Sequence, residues 1–196
     1  MNISARWHYQ LARFFLIVKR DARAIDEFEL ALSLEPGFAQ AAESLAYLYA
    51  TTGRPQRAVE AFQEAIALEP HKAATHFNLG FVYHEQKRYD EAIAAFEKAL
   101  EIDPNLDRAW YGMGLAHRSM NRHEEAARAL ERAAKLQPMN GIAWYELGMT
   151  YHALRRTDKV RETIAYLHEF EPKMTMELMR ETGMSLPTPT GRRNGR

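Results

Sequence analysis

The spacing of the prolines constrains the fold of this chain more than any other feature. Five of the eight prolines recur at intervals of 34 residues: Pro36, Pro70, Pro104, Pro138 and Pro172. A fixed period of this length is typical of stacked supersecondary units and argues against a single closed core. Placing each proline at position 32 of a unit divides the chain into five repeats: 5–38, 39–72, 73–106, 107–140 and 141–174.

Other positions of the 34-residue unit agree with this division. Position 8 holds alanine or glycine in every repeat, and position 20 holds alanine in the first four. We expect these small residues to let the helix backbones approach closely, while large apolar residues fill the gaps between the helices. Position 24 holds a large apolar residue throughout: Phe28, Phe62, Phe96, Leu130 and Ile164. Positions 4, 7, 8 and 11 lie on one face of a first helix (helix A), and positions 20, 24 and 27 on one face of a second (helix B). Because one helix pair cannot bury its own apolar faces, neighbouring pairs must stack.

The pattern resembles the tetratricopeptide repeat, whose Trp, Leu-Gly, Tyr, Ala, Phe, Ala and Pro positions it follows over residues 5–174. The resemblance implies an all-α, right-handed superhelical solenoid of antiparallel helix pairs. We expect this domain to cover residues 1–184, with a C-terminal capping helix over 175–184. We expect a disordered basic tail over 185–196, because that segment has two prolines, three arginines and no acidic residue.

Charge and composition argue against several classes of protein. The chain has 26 basic and 26 acidic residues, so it lacks the long-range field typical of proteins that bind nucleic acid or anionic membranes. It has no cysteine, which excludes disulfides, thiol catalysis and cysteine metal sites. The apolar run 14–18 is too short for a signal peptide or a membrane span. We therefore expect a soluble, unprocessed, cytoplasmic protein with no membrane insertion.

Nothing in the sequence predicts catalysis or a cofactor. The glycines of the segment 112–114 lie within a predicted helix and do not form a nucleotide-binding turn. Histidine pairs such as His76 and His84, or His117 and His123, have spacings that do not suit a zinc site on one helix. We predict that the protein is not an enzyme and has no catalytic residue, no metal and no cofactor.

A binding surface is the remaining candidate. In proteins with this repeat, helix A lines a concave groove, which implies that positions 2, 5, 6, 9, 12 and 13 face a ligand. The resemblance thus predicts a peptide-binding groove with these candidate residues: Tyr9, Arg13, Tyr47, Phe77, Asn78, Phe81, His84, Arg108, Tyr111, Leu115, Arg118, Tyr145 and Met149. Position 5 is aromatic in four repeats, and such a row suits an extended peptide or a partner helix.

Two interpretations of these aromatic residues stay open. They either anchor a ligand, chiefly through Phe77, Phe81, Tyr111 and Tyr145 in one trough across repeats 3 to 5, or cover the core beside position 4. The best-known subgroup of the family clamps a C-terminal carboxylate, but only Asn78 and Arg108 match its five positions. We therefore expect a ligand of mixed charge that needs no terminal carboxylate.

The N-terminal helix predicts a second surface. Trp7, Phe14 and Ile17 belong to a segment that is apolar around more than one face, whereas an edge repeat should be polar on its outer side. The leading hypothesis is a non-catalytic adaptor that binds a protein or peptide partner and no nucleic acid. The alternatives are a scaffold that forms homo-oligomers through this helix, and a regulatory subunit of an enzyme on another chain.

Overall fold

The protein folds into α-helices joined by short turns. A computed structural model describes residues 2–186, and this part contains eleven helices and no strand. Their bounds are α1 (Ile3–Ile17), α2 (Asp21–Leu34), α3 (Ala39–Thr51), α4 (Pro55–Leu68), α5 (Ala73–Glu85), α6 (Tyr89–Ile102), α7 (Asp107–Ser119), α8 (His123–Leu136), α9 (Gly141–Ala153), α10 (Thr157–His168) and α11 (Pro172–Thr182). In the described range, none of these helices has the length and apolar character needed to cross a bilayer. The predicted all-α helical-repeat class is confirmed.

The helices pair in the order that the 34-residue period predicts. α1 packs on α2, α3 on α4, α5 on α6 and α9 on α10, and α3, α5 and α9 also pack on the B helix before them. The chain divides into two compact units, Met1–Gly112 (unit 1) and Met113–Arg196 (unit 2), and the division falls within α7.

Each helix A is joined to its helix B through one residue with left-handed backbone, at position 15 of the repeat. The φ angles are 54° at Lys19, 72° at Gly53, 60° at Lys87, 58° at Asn121 and 56° at Arg155. Glycine adopts this region without steric cost, asparagine tolerates it, and lysine or arginine is strained there. The same turn therefore forms in all five repeats, although only two of them have a residue that favours it.

Position 24 forms the core of the helix pairs, and position 8 lets the paired helices approach closely. The side chains at position 24 are all buried. A Cβ added at Gly80 would lie 2.8 Å from the ring of Phe96, and one added at Gly114 would lie 2.7 Å from Leu130. Contacts this short cannot form in a packed interior, so these glycines are required for the close helix approach. The predicted roles of the small and large positions are confirmed.

Tyrosine hydroxyls at position 11 join helix A to the preceding helix B. The hydroxyl of Tyr49 donates a hydrogen bond to Glu29, and that of Tyr151 donates one to Glu131. Burial, followed by the hydrogen bond to Glu131, raises the pKa of Tyr151. A carboxylate paired in this way has a hydrogen-bond partner on the next helix, and the bond stabilises the stack of helices.

Position 4 joins the start of helix A to the turn before it. The indole Nε1 of Trp144 donates a hydrogen bond of 2.9 Å to the carbonyl oxygen of Pro138. In repeat 3 a histidine replaces the tryptophan, and Nε2 of His76 lies 2.9 Å from the carbonyl oxygen of Pro70. With its proton on Nε2, His76 makes the same contact as the aromatic residue that it replaces.

α11 closes the C-terminal end of the described chain. Leu178 is fully buried, and a Cβ added at Gly148 would lie 2.6 Å from its side chain. The sequence predicts a cap over 175–184, and the helix begins earlier, at Pro172, where a proline suits the first helical turn. Most of the tail predicted over 185–196 lies outside the described residues, which end at 186.

Candidate peptide-binding surface

A pocket of about 370 Å³ lies in unit 1, between α3, α5 and the start of α4. Its wall includes Tyr47, Thr51, Asn78, Phe81, Val82 and Glu85, and the buried ring of Phe62 also lines it. Tyr47 is 60% exposed and Phe81 is 52% exposed. Two exposed rings beside one pocket form an apolar patch of the kind that marks interaction sites, so they identify a candidate binding site.

Helix geometry explains why these two rings are exposed. Both occupy position 9, which lies about 100° around helix A from the packed position 8, whereas position 5 lies only about 60° from it. A ring at position 5 therefore reaches the core, and a ring at position 9 points away from it. Residue spacing therefore predicts the direction of each ring, whereas the neighbouring helices decide its exposure, since Leu115 and Met149 share position 9 and are half-buried.

The aromatic residues at position 5 do pack against the core in unit 1. The ring centre of Tyr9 lies 5.7 Å from that of Phe28 and 5.0 Å from that of Phe38. The ring centre of Phe77 lies 5.9 Å from that of Phe96. At Tyr9 and Phe77 the ring contacts are those of the second interpretation, in which the rings cover the core beside position 4. Whether the row also binds a ligand stays a prediction.

Arg108, one of the predicted groove residues, contacts Phe77. The guanidinium of Arg108 sits 4.8 Å from the centre of the Phe77 ring, which is a favourable cation–π distance. Tyr111 follows on the same helix and is half-buried. The arginine covers part of Phe77, so that ring offers less open surface than Phe81 does.

The acidic residues of α3 and α5, Glu43 and Glu85, differ in their pairing. Glu43 accepts a hydrogen bond of 2.9 Å from the hydroxyl of Thr75 and one of 2.5 Å from Nζ of Lys72. The hydrogen bond to Glu43 raises the pKa of Lys72. Glu85, which lines the pocket, is exposed and has Nδ1 of His84 at 3.6 Å. Glu85 is therefore the carboxylate that a ligand in the pocket would meet.

Two other predicted groove residues, of repeats 1 and 3, contact neighbouring side chains. The guanidinium of Arg13 lies 5.9 Å from the ring centre of Tyr9 and donates a hydrogen bond of 3.4 Å to Gln10. The His84 ring packs edge-on against Tyr89, with ring centres 5.4 Å apart.

The predicted groove residues of unit 2 form a separate group. Arg118 makes an ion pair with Glu146, so its charge is already neutralised. Burial, followed by the charges of two glutamates on α11, raises the pKa of Tyr145. Leu115 and Met149 are half-buried. This group offers apolar surface and little net charge.

A second pocket, of about 310 Å³, lies in unit 2 and was not predicted from the sequence. The rings of Trp144 and Tyr166 line it with their centres 4.4 Å apart. Its charged groups pair internally, as Nζ of Lys159 and Glu162 do at 2.7 Å. Position 26 is aromatic only in this repeat, so the repeat pattern contains no signal for this pocket.

The three residues predicted for self-association, Trp7, Phe14 and Ile17, are all exposed on α1. Within residues 2–186, no three metal-ligating side chains lie close enough together to hold an ion. The lack of an active site stays a prediction from the sequence.

The family follows from comparison with known proteins. Two family models, both described as tetratricopeptide repeat, match residues 43–107 and 84–147. The chain belongs to the tetratricopeptide-repeat family. A search of curated proteins finds no significant match.

Solved structures of repeat proteins share the fold. MamA (residues 41 to the end) from Desulfovibrio magneticus RS-1 is 22% identical, with a TM-score of 0.77 over 92% of this chain and 98% of that one. YrrB, described as a TPR protein with an unusual peptide-binding site, is 19% identical, with a TM-score of 0.75 over 88% and 90%. PilF of Pseudomonas aeruginosa is 21% identical, with a TM-score of 0.74 over 92% and 85%. At these identities the likeness concerns the fold alone.

Proposed function

We propose that this tetratricopeptide-repeat protein is a non-catalytic adaptor that holds a segment of a partner protein against the groove face of its A helices. The family supports a protein-interaction scaffold in general. The observation that carries the proposal is the pair of open rings, Tyr47 and Phe81, beside the pocket in unit 1. Because these rings are exposed, a partner side chain gains by removing them from water.

The pocket also suggests the chemistry of the bound segment. Asn78 has an amide that can both donate to and accept from a peptide backbone, which would set the register of the segment. Glu85 favours a lysine or arginine next to the apolar anchor. We therefore propose a ligand with one large apolar side chain beside a basic residue, with Phe77 and Arg108 as flanking contacts.

A random-peptide library displayed on phage and selected against the purified full chain tests this function. Calorimetry with a selected peptide should show that Tyr47→Ala and Phe81→Ala each cost about 1–3 kcal/mol of binding. Leu68→Ala, on the exposed side of α4, is the matched control and should leave the affinity within about twofold. Thermal melts exclude unfolding, and selected peptides that bind both variants as tightly as the wild type would place the site elsewhere.

The two alternative functions stay predictions. Self-association through Trp7, Phe14 and Ile17 is tested by the mass of the protein in solution. A regulatory role beside an enzyme on another chain has no particular residue of this chain to support it.

A further inference from the structure

One face of α1 is apolar and open. Ile3, Trp7, Phe14 and Ile17 lie within an arc of about 80° on the helix. Together with Val18, which caps the helix, they form the outer face of α1. Trp7 is 66% exposed, Phe14 54% and Ile17 80%. The opposite side of α1 carries the alanines that are buried against the rest of unit 1. This contiguous apolar stripe is of the kind that marks an interaction surface.

The equivalent face is buried in later repeats. Trp7 and Phe14 occupy positions 3 and 10, where α3 has Ala41 and Leu48 and both are buried. In α5, position 3 is the buried Thr75, which bonds to Glu43 of the A helix before it. The outer face of α1 therefore corresponds to the face that a repeat normally turns towards its predecessor.

Another repeat is a poor occupant for this face. Position 3 holds alanine or threonine in repeats 2 to 5, and close helix packing depends on that small size. Trp7 in the same place would overpack the contact, which typically costs about 1–3 kcal/mol. The occupant of this face must instead have a surface that accepts large side chains.

The charges of α1 narrow the choice of occupant. Residues 1–20 include four cations, Arg6, Arg13, Lys19 and Arg20, and no acidic residue. Arg6 and Arg13 follow one edge of the apolar arc on the helix. Within residues 2–186, neither arginine forms an ion pair. Arg13 contacts the Gln10 side chain and the Tyr9 ring. The edge of the outer face is thus an open basic strip.

We propose that the outer face of α1 docks an amphipathic helix of another protein, with apolar side chains on one face and aspartate or glutamate along the flank. The apolar side chains would cover Trp7 and Phe14, and the acidic flank would neutralise Arg6 and Arg13. This surface is separate from the pocket beside Phe81.

Two other occupants fit the charges less well. In an antiparallel pair of α1 helices from two copies, Arg6 of one copy faces Arg13 of the other, and like charges repel. A flat anionic bilayer would approach α2 as well as α1, and α2 exposes Asp21, Asp26 and Glu29. A narrow acidic helix avoids both penalties.

Two synthetic helices test the occupant. Each fluorescein-labelled peptide has about 18 residues, or five helical turns, with a leucine stripe flanked by glutamate in one peptide and by lysine in the other. Anisotropy titrations with the full chain should show at least about tenfold tighter binding of the glutamate peptide. Added salt should reduce that difference.

Variants of the full chain locate the binding. Trp7→Ala and Phe14→Ala should each weaken the glutamate peptide about tenfold, and the double variant Arg6→Glu/Arg13→Glu should reverse the preference between the peptides. Met139→Ala, an exposed apolar residue of unit 2, is the control and should change nothing. Phe81→Ala should also leave this binding intact, which separates the present proposal from the proposed function. Circular dichroism verifies that each variant is folded.

Several results would overturn the proposal. Equal binding of the two peptides, or binding of neither, rules out an acidic helix as the occupant. A dimer in sedimentation equilibrium that Phe14→Glu dissociates identifies the occupant as a second copy. Co-sedimentation with phosphatidylserine vesicles that Trp7→Ala abolishes, without binding of the glutamate peptide, identifies it as a lipid surface.

Discussion

The helices at the two ends of the described chain differ in how much apolar surface they expose on their outer sides. At the C-terminal end, α11 turns Leu178 inwards against Gly148, and its outward positions include Glu177, Arg180 and Glu181. At the N-terminal end, the outer face of α1 presents large apolar side chains to solvent. A terminal repeat needs a polar outer side to remain soluble alone. The comparison teaches that α1 lacks the polar outer side that α11 has, and the exposed rings and basic edge of α1 are the features for which we propose a partner.

The first test of this comparison truncates Leu178, the buried side chain that holds α11 in place. Leu178→Ala should lower the free energy of unfolding by about 2–5 kcal/mol, because it leaves a cavity in a fully buried site. Urea denaturation measures the loss. Met176→Ala, at an exposed position of the same helix, should change stability by no more than about 0.5 kcal/mol. Equal effects of the two changes would mean that α11 does not cover the end.

A change at Gly148, which contacts Leu178 of α11, should have a smaller effect on the free energy of unfolding. Gly148→Ala places a Cβ 2.6 Å from Leu178 and should cost about 1–3 kcal/mol, since the leucine has to shift. Gly37→Ala is the control, because a Cβ there would have no atom within 4 Å. Thermal unfolding compares the two variants, and a neutral Gly148→Ala would show that the cap has room to move.

The two ends share one source of strain, and relieving it should have similar effects at both. Lys19 and Arg155 have left-handed backbone in the first and last repeats. Lys19→Gly and Arg155→Gly should each stabilise the protein by about 0.5–1 kcal/mol, because glycine removes the steric cost of that conformation. Gly53→Ala should instead destabilise the protein. Urea denaturation measures the stability of all three variants. If either glycine variant is less stable, interactions of the replaced side chain outweigh the backbone strain.

The smallest expected effect is at the N-terminal end. Trp7→Ala should change the free energy of unfolding by no more than about 0.5 kcal/mol, because the side chain is mostly in water already. Urea denaturation at low protein concentration measures this. A loss comparable to that of Leu178→Ala would mean that the outer face of α1 is covered in the free protein, and the contrast between the ends would disappear.

Much of the fold could be predicted because its pattern is local. The proline period placed the helix pairs, and the small residues at position 8, such as Gly80 and Gly114, predicted where helices approach closely. The candidate site stays a prediction. The sequence places Tyr47 and Phe81 among its candidates and also favours the row at position 5, where the ring of Phe77 contacts the core ring of Phe96. The repeat pattern identifies which positions are aromatic, and the neighbouring helix decides how much of each ring stays open.

The sequence by itself determined the all-α repeat class of this protein and the 34-residue spacing of its helices, because residue spacing sets which side chains share a helix face. Only the tertiary structure decided which charges and rings remain available to a partner. Glu43 is held by Lys72, and Arg118 by Glu146, through contacts 29 and 28 residues apart in the chain. Such contacts form across stacked helices, where the shape and charge of each neighbouring side chain decide the pairing.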